Sequence, residues 1–171
     1  MAKKRSTKAD SKASKQLQAA TSQKKPIARK RTLTQLRNEL DKVFSRYIRA
    51  KYADRNGRVR CVTCDREYLV GDAQAGHFAS RRHMATRWDE DNVRPQCYTC
   101  NITDQGRQWR FGQALDREQP GRAAEVMERA QTRSPNSANA LRAAVEHYKA
   151  ELEALEREKN LRWQRTPKTK P

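Results

Sequence analysis

The sequence contains few hydrophobic residues and no long hydrophobic run. Hydrophobic residues account for 35% of its 171 positions and charged residues for 34%, so we do not expect a large apolar core. No stretch approaches the roughly 20 apolar residues that a helix needs to cross a bilayer, and the N-terminus lacks the apolar run of a secretory signal. These absences predict a soluble, intracellular protein of the cytoplasm.

Acidic residues are also scarce. The chain has 20 Asp and Glu against 38 Lys and Arg, which gives a formal net charge of +18. Such an excess favours binding to a polyanion, because each phosphate that Lys or Arg neutralises releases condensed counterions. We therefore expect nucleic acid, rather than an anionic membrane surface, as the partner.

Cysteine occurs only four times, in two Cys-x-x-Cys pairs, Cys61/Cys64 and Cys97/Cys100. Two intervening residues let one tight turn present both thiolates of a pair to the same metal, and a tetrahedral zinc ion takes four such ligands. In a reducing cytosol this spacing favours metal ligands over disulfides. We predict a structural Zn²⁺ ion, with disulfides or unpaired buried thiols as the alternative.

Both ends of the chain are basic. Residues 1–31 contain eleven basic residues, one acid and almost no bulky apolar side chain, which predicts a disordered basic arm. This arm either increases solubility or grips DNA without sequence preference. Residues 164–171 form a second basic tail, which we also expect to be disordered.

Between these ends the pattern is mainly helical. An apolar stripe that begins near Thr34 and ends before Asp54 predicts an amphipathic helix; its members are Leu36, Leu40, Val43, Phe44, Tyr47 and Ile48. Further helices are predicted from near Asn101 and over residues 122–131 and 137–162. The last helix has a stripe of heptad-like spacing, formed by Leu141, Val145, Tyr148, Leu152 and Leu155. That stripe would pack on the first helix or form the seam of a dimer.

The segments between the cysteine pairs are short. Residues 67–70 and 75–79 are predicted as short strands and residues 81–91 as a loop, because glycine and proline interrupt any long helix there. The sequence thus predicts an α+β fold, with a small zinc-stapled core in residues 32–121 that includes the first helix. Flanking C-terminal helices are expected in residues 122–163.

Three residues near the cysteines have the chemistry that phosphodiester hydrolysis requires, namely a base for water and a hard cation for the phosphate. His77 can be the base, because a neutral imidazole accepts a proton near neutral pH; a structural hydrogen-bonding role is the alternative. Asn101 can supply an oxygen ligand to Mg²⁺ or Mn²⁺. Asp104, one helical turn later, adds negative charge on the same face.

The order of these residues resembles a known family. Cysteine pairs around Gly76-His77, an asparagine midway and Asn101 after the last cysteine are similar to the HNH/N endonucleases, which have a ββα-metal core. Five segments more narrowly resemble the phage NinG/Rap recombination endonucleases: YIR (47–49), CVTC (61–64), AGHF (75–78), RWDEDNV (87–93) and QCYTCN (96–101). The similarity covers residues 35–155, and the zinc site also resembles that of phage endonuclease VII.

This resemblance implies a metal-dependent, structure-selective DNA endonuclease that cleaves Holliday junctions, D-loops and other branched intermediates of phage recombination. It implies a structural Zn²⁺ ion and a catalytic Mg²⁺ or Mn²⁺ ion, and a phage-encoded enzyme would act in the host-cell cytoplasm. Symmetric resolution of a four-way junction needs two active sites, so a homodimer is expected.

Residue by residue, the resemblance assigns His77 as the general base and Asn92 as the residue that orients the loop or the base. It assigns Asn101 as a ligand of the catalytic ion and places an acid at Asp104. Many HNH/N enzymes carry an aspartate ligand directly before the histidine, where this chain has Gly76. The second ligand stays open among Asp104, Asp72 and Gln74.

Basic and aromatic residues near this region are candidates for contact with DNA. We predict phosphate contacts from Arg81, Arg82, His83, Arg87 and Arg107. Trp88 and Trp109 are expected in the core or as caps rather than as platforms for base stacking. The acidic turn 89–91 is expected to be solvated.

Two functions follow from the sequence. The first is the endonuclease, and the second is a non-catalytic zinc-finger DNA-binding protein in which the cysteine site and the basic arms only hold DNA. His77 together with Asn101 favours the first, because a pure binding module needs no neutral base beside an oxygen ligand.

Overall fold

The computed structural model describes residues 31–134 and 137–167, so residues 1–30 of the predicted arm and residues 168–171 of the predicted tail lie outside the described residues. The described part forms helices and two small sheets, which confirms the predicted α+β class. In chain order its elements are α1 (Leu33–Tyr52), β1 (Arg58–Arg60), β2 (Glu67–Leu69), β3 (Gln74–His77), β4 (Val93–Gln96), a π-helical turn (Thr99–Thr103), α2 (Gln108–Glu118), α3 (Arg122–Ala130) and α4 (Ala138–Glu158). None of the helices in these ranges combines the length and the apolar composition that crossing a membrane requires.

Helix α1 lies where its apolar stripe predicts it. Thr32 and Gln35 form a capping box, in which each side chain accepts a hydrogen bond from the other residue's backbone N–H. The helix ends at Tyr52, and the Asp54 side chain accepts hydrogen bonds from two backbone N–H groups of the next turn. Gly57 completes that turn with a φ of +72°, which glycine adopts without strain.

Helix α4 packs along α1 of the same chain. Leu141 and Val145 are buried in one cluster with residues of α1, and Leu152 is buried in a second. The ring of Tyr148 meets Phe44 of α1 edge to face, with the ring centroids 4.8 Å apart. The heptad-like stripe therefore serves the core of the chain itself.

Lys159 ties the end of α4 to the end of α1. Its Nζ donates hydrogen bonds to the carbonyl oxygens of Ala50, Lys51 and Ala53 at 2.8–2.9 Å. The last carbonyls of a helix have no partner within it, and a cation there also interacts favourably with the helix dipole. Lys159 thus adds to the end of α1 a charged donor from a distant part of the chain, beside the backbone N–H of Ala53 that also donates to the Ala50 carbonyl.

Replacing Lys159 with methionine is expected to lower the free energy of unfolding by about 1–2 kcal/mol, because the carbonyls of α1 lose a charged donor. Urea unfolding followed by circular dichroism measures this loss. Lys42→Met is the matched control, since Lys42 is an exposed residue of the same helix. An equal loss in both variants would contradict the capping role.

Two antiparallel hairpins carry the cysteines and His77. β1 pairs with β2, and β3 pairs with β4 with Gly76 opposite Arg94. The backbone N–H of Val62 donates to the carbonyl of Pro95 at 2.9 Å, which joins the two hairpins. The predicted strands at 67–70 and 75–79 correspond to β2 and β3. β1 and β4 were not predicted, and β4 contains Pro95, which argues against a strand.

The predicted start of a helix near Asn101 is wrong. A π-helical turn covers Thr99–Thr103, and a regular helix begins only at Gln108. Gln105, Gly106 and Arg107 lie between them with φ of +52°, +88° and +47°. A right-handed helix cannot contain such residues, so the chain reverses direction before α2 starts.

The acidic turn 89–91 is paired rather than solvated, which corrects the sequence-based expectation. Arg129 of α3 contacts Asp89 at 2.9 Å and Asp91 at 3.0 Å. Glu90 accepts from the Tyr47 hydroxyl at 2.9 Å and also contacts a lysine of α1. These contacts hold the loop between β3 and β4 against two helices.

Candidate functional site

The four cysteines converge on one point. Cys61 and Cys64 lie in the turn that follows β1, and Cys97 and Cys100 lie directly after β4. Their Sγ atoms all lie within 4.8 Å of one another, and none of the four forms a disulfide. The backbone N–H of Cys100 donates to Cys97 Sγ at 3.4 Å, so the turn of the second pair is closed onto the sulfur atom of Cys97.

The donor set of this cluster fits zinc. Four thiolates at Zn–S distances of about 2.3 Å lie about 3.8 Å apart in a tetrahedron, which the separations within the cluster can accommodate with small shifts. Burial raises the pKa of Cys64 and of Cys100. At Cys61 burial acts in the same direction, but hydrogen bonds from Thr63 and the backbone outweigh it and lower the pKa to about 6. The four cysteines could therefore hold a zinc ion, as the sequence predicts.

Gln96 connects the cysteine cluster to the strand that carries His77. It is fully buried, and its Nε2 donates to Thr63 Oγ1 at 3.2 Å and to the Gly106 carbonyl at 2.9 Å. A Cβ atom at Gly76 would lie 2.0 Å from Gln96 Oε1. The buried Gln96 side chain therefore leaves room only for glycine directly before His77.

His77 lies at the end of β3 with its ring held in one orientation. Nε2 lies 2.9 Å from the backbone oxygen of Arg87. Because a carbonyl oxygen only accepts, Nε2 carries the hydrogen, and the lone pair of the neutral ring is on Nδ1. The ring lines a cavity of about 260 Å³ that also borders Asp41 and Arg81.

Acidification is expected to destabilise the fold through His77. Burial lowers the pKa of His77 below its usual 6.5, against the opposing effect of the Arg87 carbonyl. Below that ordinary value the unfolded chain binds more protons at this position than the folded chain does, so the free energy of unfolding should fall as the pH falls below about 6.5.

Denaturant unfolding at about pH 8 and about pH 5, on either side of the ordinary histidine pKa, measures this effect in the wild type and in His77→Gln. The wild type should lose more stability on acidification than the variant. The other histidines are common to both proteins, so their contributions cancel. Equal losses would contradict a buried, neutral His77.

Asn92 fixes the loop beside His77. It is fully buried; its Oδ1 accepts from the backbone N–H of Ala79 at 2.6 Å, and its Nδ2 donates to the carbonyls of Ala79 and Thr86 at 3.0 and 2.8 Å. The loop held in this way contains Arg87, whose carbonyl orients the His77 ring. Asn92 is thus linked to the His77 ring through one intervening segment of backbone.

Asn101 lines a second cavity, of about 500 Å³, next to that of His77. The two cavities share Ser45, Ala75 and Arg81 as walls. Asn101 Nδ2 donates to Gln74 Oε1 at 2.6 Å, which leaves the Asn101 amide oxygen as its remaining acceptor. Two of the three candidates for a second ligand, Gln74 and Asp72, line this cavity with it.

Asp104 is not part of this cavity. Its carboxylate accepts from Arg107 at 2.5 and 2.6 Å, and neither residue lines the space beside Asn101. Among the residues that the structure describes, the four cysteines are the only group of three or more Cys, His, Asp or Glu residues close enough to hold a metal. The described residues thus contain no such cluster of carboxylates or histidines for Mg²⁺ or Mn²⁺, and an ion held by Asn101 would complete its coordination with water and with phosphate oxygens of a substrate.

The residues predicted to contact DNA differ in whether their side chains are exposed or already bound to other groups of the protein. Arg81 and Arg82 are exposed, although Arg81 contacts Asp41 at 2.7 Å. Arg87 is held by Asp41 through Nε and Nη2 at 3.0 and 2.5 Å. His83 donates from Nδ1 to the Ala130 carbonyl at 3.0 Å.

The two tryptophans differ in their burial. Trp88 packs against the core and donates from Nε1 to Asp41 at 2.9 Å, as predicted. Trp109 is 79% exposed, so of its two predicted places, in the core or as a cap, the core is excluded. Sequence reasoning also missed Asp41, Arg49 and Arg165, because the sequence shows them only as polar residues of a helix face and of the tail.

Comparison with known proteins gives one match. A family model described as Bacteriophage Lambda NinG protein matches residues 1–158. No curated protein and no solved structure matches the chain.

Proposed function

Because the chain belongs to the bacteriophage lambda NinG family, we propose that it is a structure-selective DNA endonuclease that cleaves branched recombination intermediates, with Holliday junctions and D-loops as substrates. The observation that carries this proposal is the state of His77. Its ring is fixed through Nε2 by a backbone carbonyl, keeps its lone pair on Nδ1, and has a pKa lowered by burial. A histidine in this state accepts a proton at neutral pH, as a hydrolytic base must.

In the proposed reaction His77 removes a proton from a water molecule in its cavity. The water oxygen forms a bond to phosphorus while the bond from phosphorus to the leaving sugar oxygen breaks, and that oxygen takes a proton from solvent. Asn92 keeps the loop that orients the base in place. Arg81, at the wall between the two cavities, is positioned to meet the charge that grows on the phosphate.

The zinc ion has the role of a scaffold in this proposal. The cysteine cluster lies at the end of β4, and Gln96 of that strand packs on the residue before His77. A Mg²⁺ or Mn²⁺ ion, with Asn101 as its oxygen ligand, is part of the proposal and would neutralise charge on the phosphate. The steps assigned to His77, Asn92 and Arg81 do not depend on it.

One observation favours a second function, a zinc-dependent protein that binds DNA without cutting it. The cavity beside Asn101 has three guanidinium groups and one carboxylate on its walls. Together with the lack of a carboxylate cluster among the described residues, this composition suits an anion better than a free cation. A protein that only binds the phosphate backbone would need these arginines and no catalytic group.

The deciding experiment compares a labelled four-way junction with a linear duplex of the same sequence, each incubated with Mg²⁺, with Mn²⁺ and without added divalent ion. Omitting the ion is preferable to adding a chelator, which would also remove zinc. Cutting of the junction in preference to the duplex supports the endonuclease, and paired cuts at symmetric positions support a homodimer. Binding of both substrates without any cutting would establish the second function instead.

A further inference from the structure

The chain continues after α4 into a segment that returns across α1 and the first hairpin. We name residues 161–166 the C-terminal strap; they lie beyond residue 158, where the family match ends. Leu161 and Trp163 of the strap pack against two core clusters. The carbonyl of Gln164 accepts from the backbone N–H of Gly71 at 3.0 Å, so the strap is joined to the body of the protein by backbone as well as by side chains.

Hydrogen bonds of Gln164 and Thr166 fix the strap on either side of Arg165. A Cβ atom at Gly71 would lie 2.2 Å from the Gln164 carbonyl oxygen, so the close approach requires glycine. Thr166 donates from its backbone N–H and its hydroxyl to Asp72 at 2.8 and 2.6 Å. The strap therefore places Arg165, between these two contacts, at a defined point of the surface.

Arg49 of α1 carries a buried charge that no carboxylate neutralises. Its guanidinium donates to the carbonyls of Ser45, Val70 and Ala73 at 3.0–3.2 Å, and it makes no ion pair within the described ranges. Burial, and then the neighbouring charges of Arg46 and Arg165, lower its pKa to about 10. The face of the Trp163 ring lies 4.8 Å from the same guanidinium. A partly buried cation whose partners are carbonyls and a ring, with no carboxylate among them, costs free energy that a bound anion would recover.

Arg49, Arg81 and Arg165 line the cavity of about 500 Å³ that also holds Asn101. The one acid on its walls is Asp72, which already accepts two hydrogen bonds from Thr166. Arg81 contacts Asp41, but that carboxylate also serves a second arginine. The walls of the cavity thus retain an excess of positive charge.

The geometry points to a phosphate-binding site for DNA, built by Arg49, Arg81 and Arg165, in which the C-terminal strap supplies the third guanidinium. The identity of the ligand as a phosphodiester of DNA rests on the proposed function. Guanidinium groups donate paired hydrogen bonds that match the oxygens of a phosphate. A phosphate held here lies beside Asn101 and next to the cavity of His77. The strap would therefore help to fix the position of the DNA relative to His77.

Binding of a fluorescein-labelled four-way junction and of the matching duplex, measured by anisotropy over a range of NaCl concentrations without divalent ion, tests this site in the full chain. Arg165→Gln should weaken binding by about tenfold at low salt and reduce the slope of log affinity against log salt for the duplex by about 0.9. Arg165→Lys should restore most of the slope. Arg162→Gln is the matched control, because Arg162 is an exposed residue of the same strap that does not line the cavity.

Failure of this site and failure of the proposed function give different results. Arg165 is exposed, and the hydrogen bonds that hold the strap come from Gln164 and Thr166, so all variants should keep the thermal transition of the wild type. The site would be overturned if Arg165→Gln bound DNA with the affinity and salt slope of the wild type, or if Arg162→Gln lost as much affinity as Arg165→Gln. Either result would leave the proposed endonuclease in place. No binding of DNA by the wild type would overturn both, as would Arg165-dependent binding to phosphatidylglycerol vesicles alone.

Discussion

Cleavage of a four-way junction by the His77→Ala variant is expected to be slower than wild-type cleavage by about 10²–10⁴-fold, the usual contribution of a general base. DNA affinity should stay almost unchanged, because the His77 ring lies in a cavity and the positive charge of the binding surface lies on arginines around it. Single-turnover cleavage with enzyme in excess measures the chemical step, and anisotropy measures binding on the same substrate.

His147→Ala is the matched control for this prediction. His147 is an exposed histidine of α4 and does not line the cavity of His77. Its loss should leave the rate of cleavage close to that of the wild type. A parallel fall of binding and cleavage in His77→Ala would show that His77 is a structural residue.

The Cys97→Ser variant is expected to lose its cooperative thermal transition. Cys97 is 3% exposed and shares one small cluster with the other three cysteines. Structural zinc contributes apparent binding free energies of about 10–16 kcal/mol to small domains, whereas whole domains are stable by only about 5–15 kcal/mol. Removing one thiolate should therefore cost most of the stability of the hairpins.

Calorimetry and native mass spectrometry test this prediction together. The wild type should carry one zinc ion per chain and unfold in a single transition, and Cys97→Ser should show neither. Tyr98→Ser is the control, because Tyr98 follows directly in the sequence and is 61% exposed. If Cys97→Ser kept the melting temperature of the wild type, the cysteines would not stabilise the fold through a shared metal.

Features encoded locally could be predicted from the sequence. The stripe from Leu36 to Ile48 specifies α1 because each apolar residue falls on the same face, and the spacing within each cysteine pair specifies a turn around a metal. β4 was not predicted, because Pro95 within it argues against a strand. The positive φ values of Gln105, Gly106 and Arg107 accompany a hydrogen bond from Gln96 to the Gly106 carbonyl, a contact that no local pattern reveals.

The sequence named candidate residues for the site, but it did not predict how they are arranged. His77 and Asn101 were found because the cysteine pairs mark their positions, and the structure places them on neighbouring cavities. Asp104 has the spacing of a ligand but pairs with Arg107, a competition that helical periodicity does not show. Arg49 and Arg165 are separated by more than a hundred positions, so only the folded chain brings their charges together.

The contact between Gly76 and Gln96 makes these two positions dependent on each other in evolution. With Gln96 Oε1 only 2.0 Å from where a Cβ would stand, a relative can gain a side chain before the histidine only if position 96 becomes smaller. An alignment of relatives should therefore show covariation, with glycine at 76 wherever glutamine occupies 96. An aspartate at position 76 should be accompanied by a short residue across the hairpin, and such pairs would mark the branch of the family in which the acid before the histidine is available to a metal.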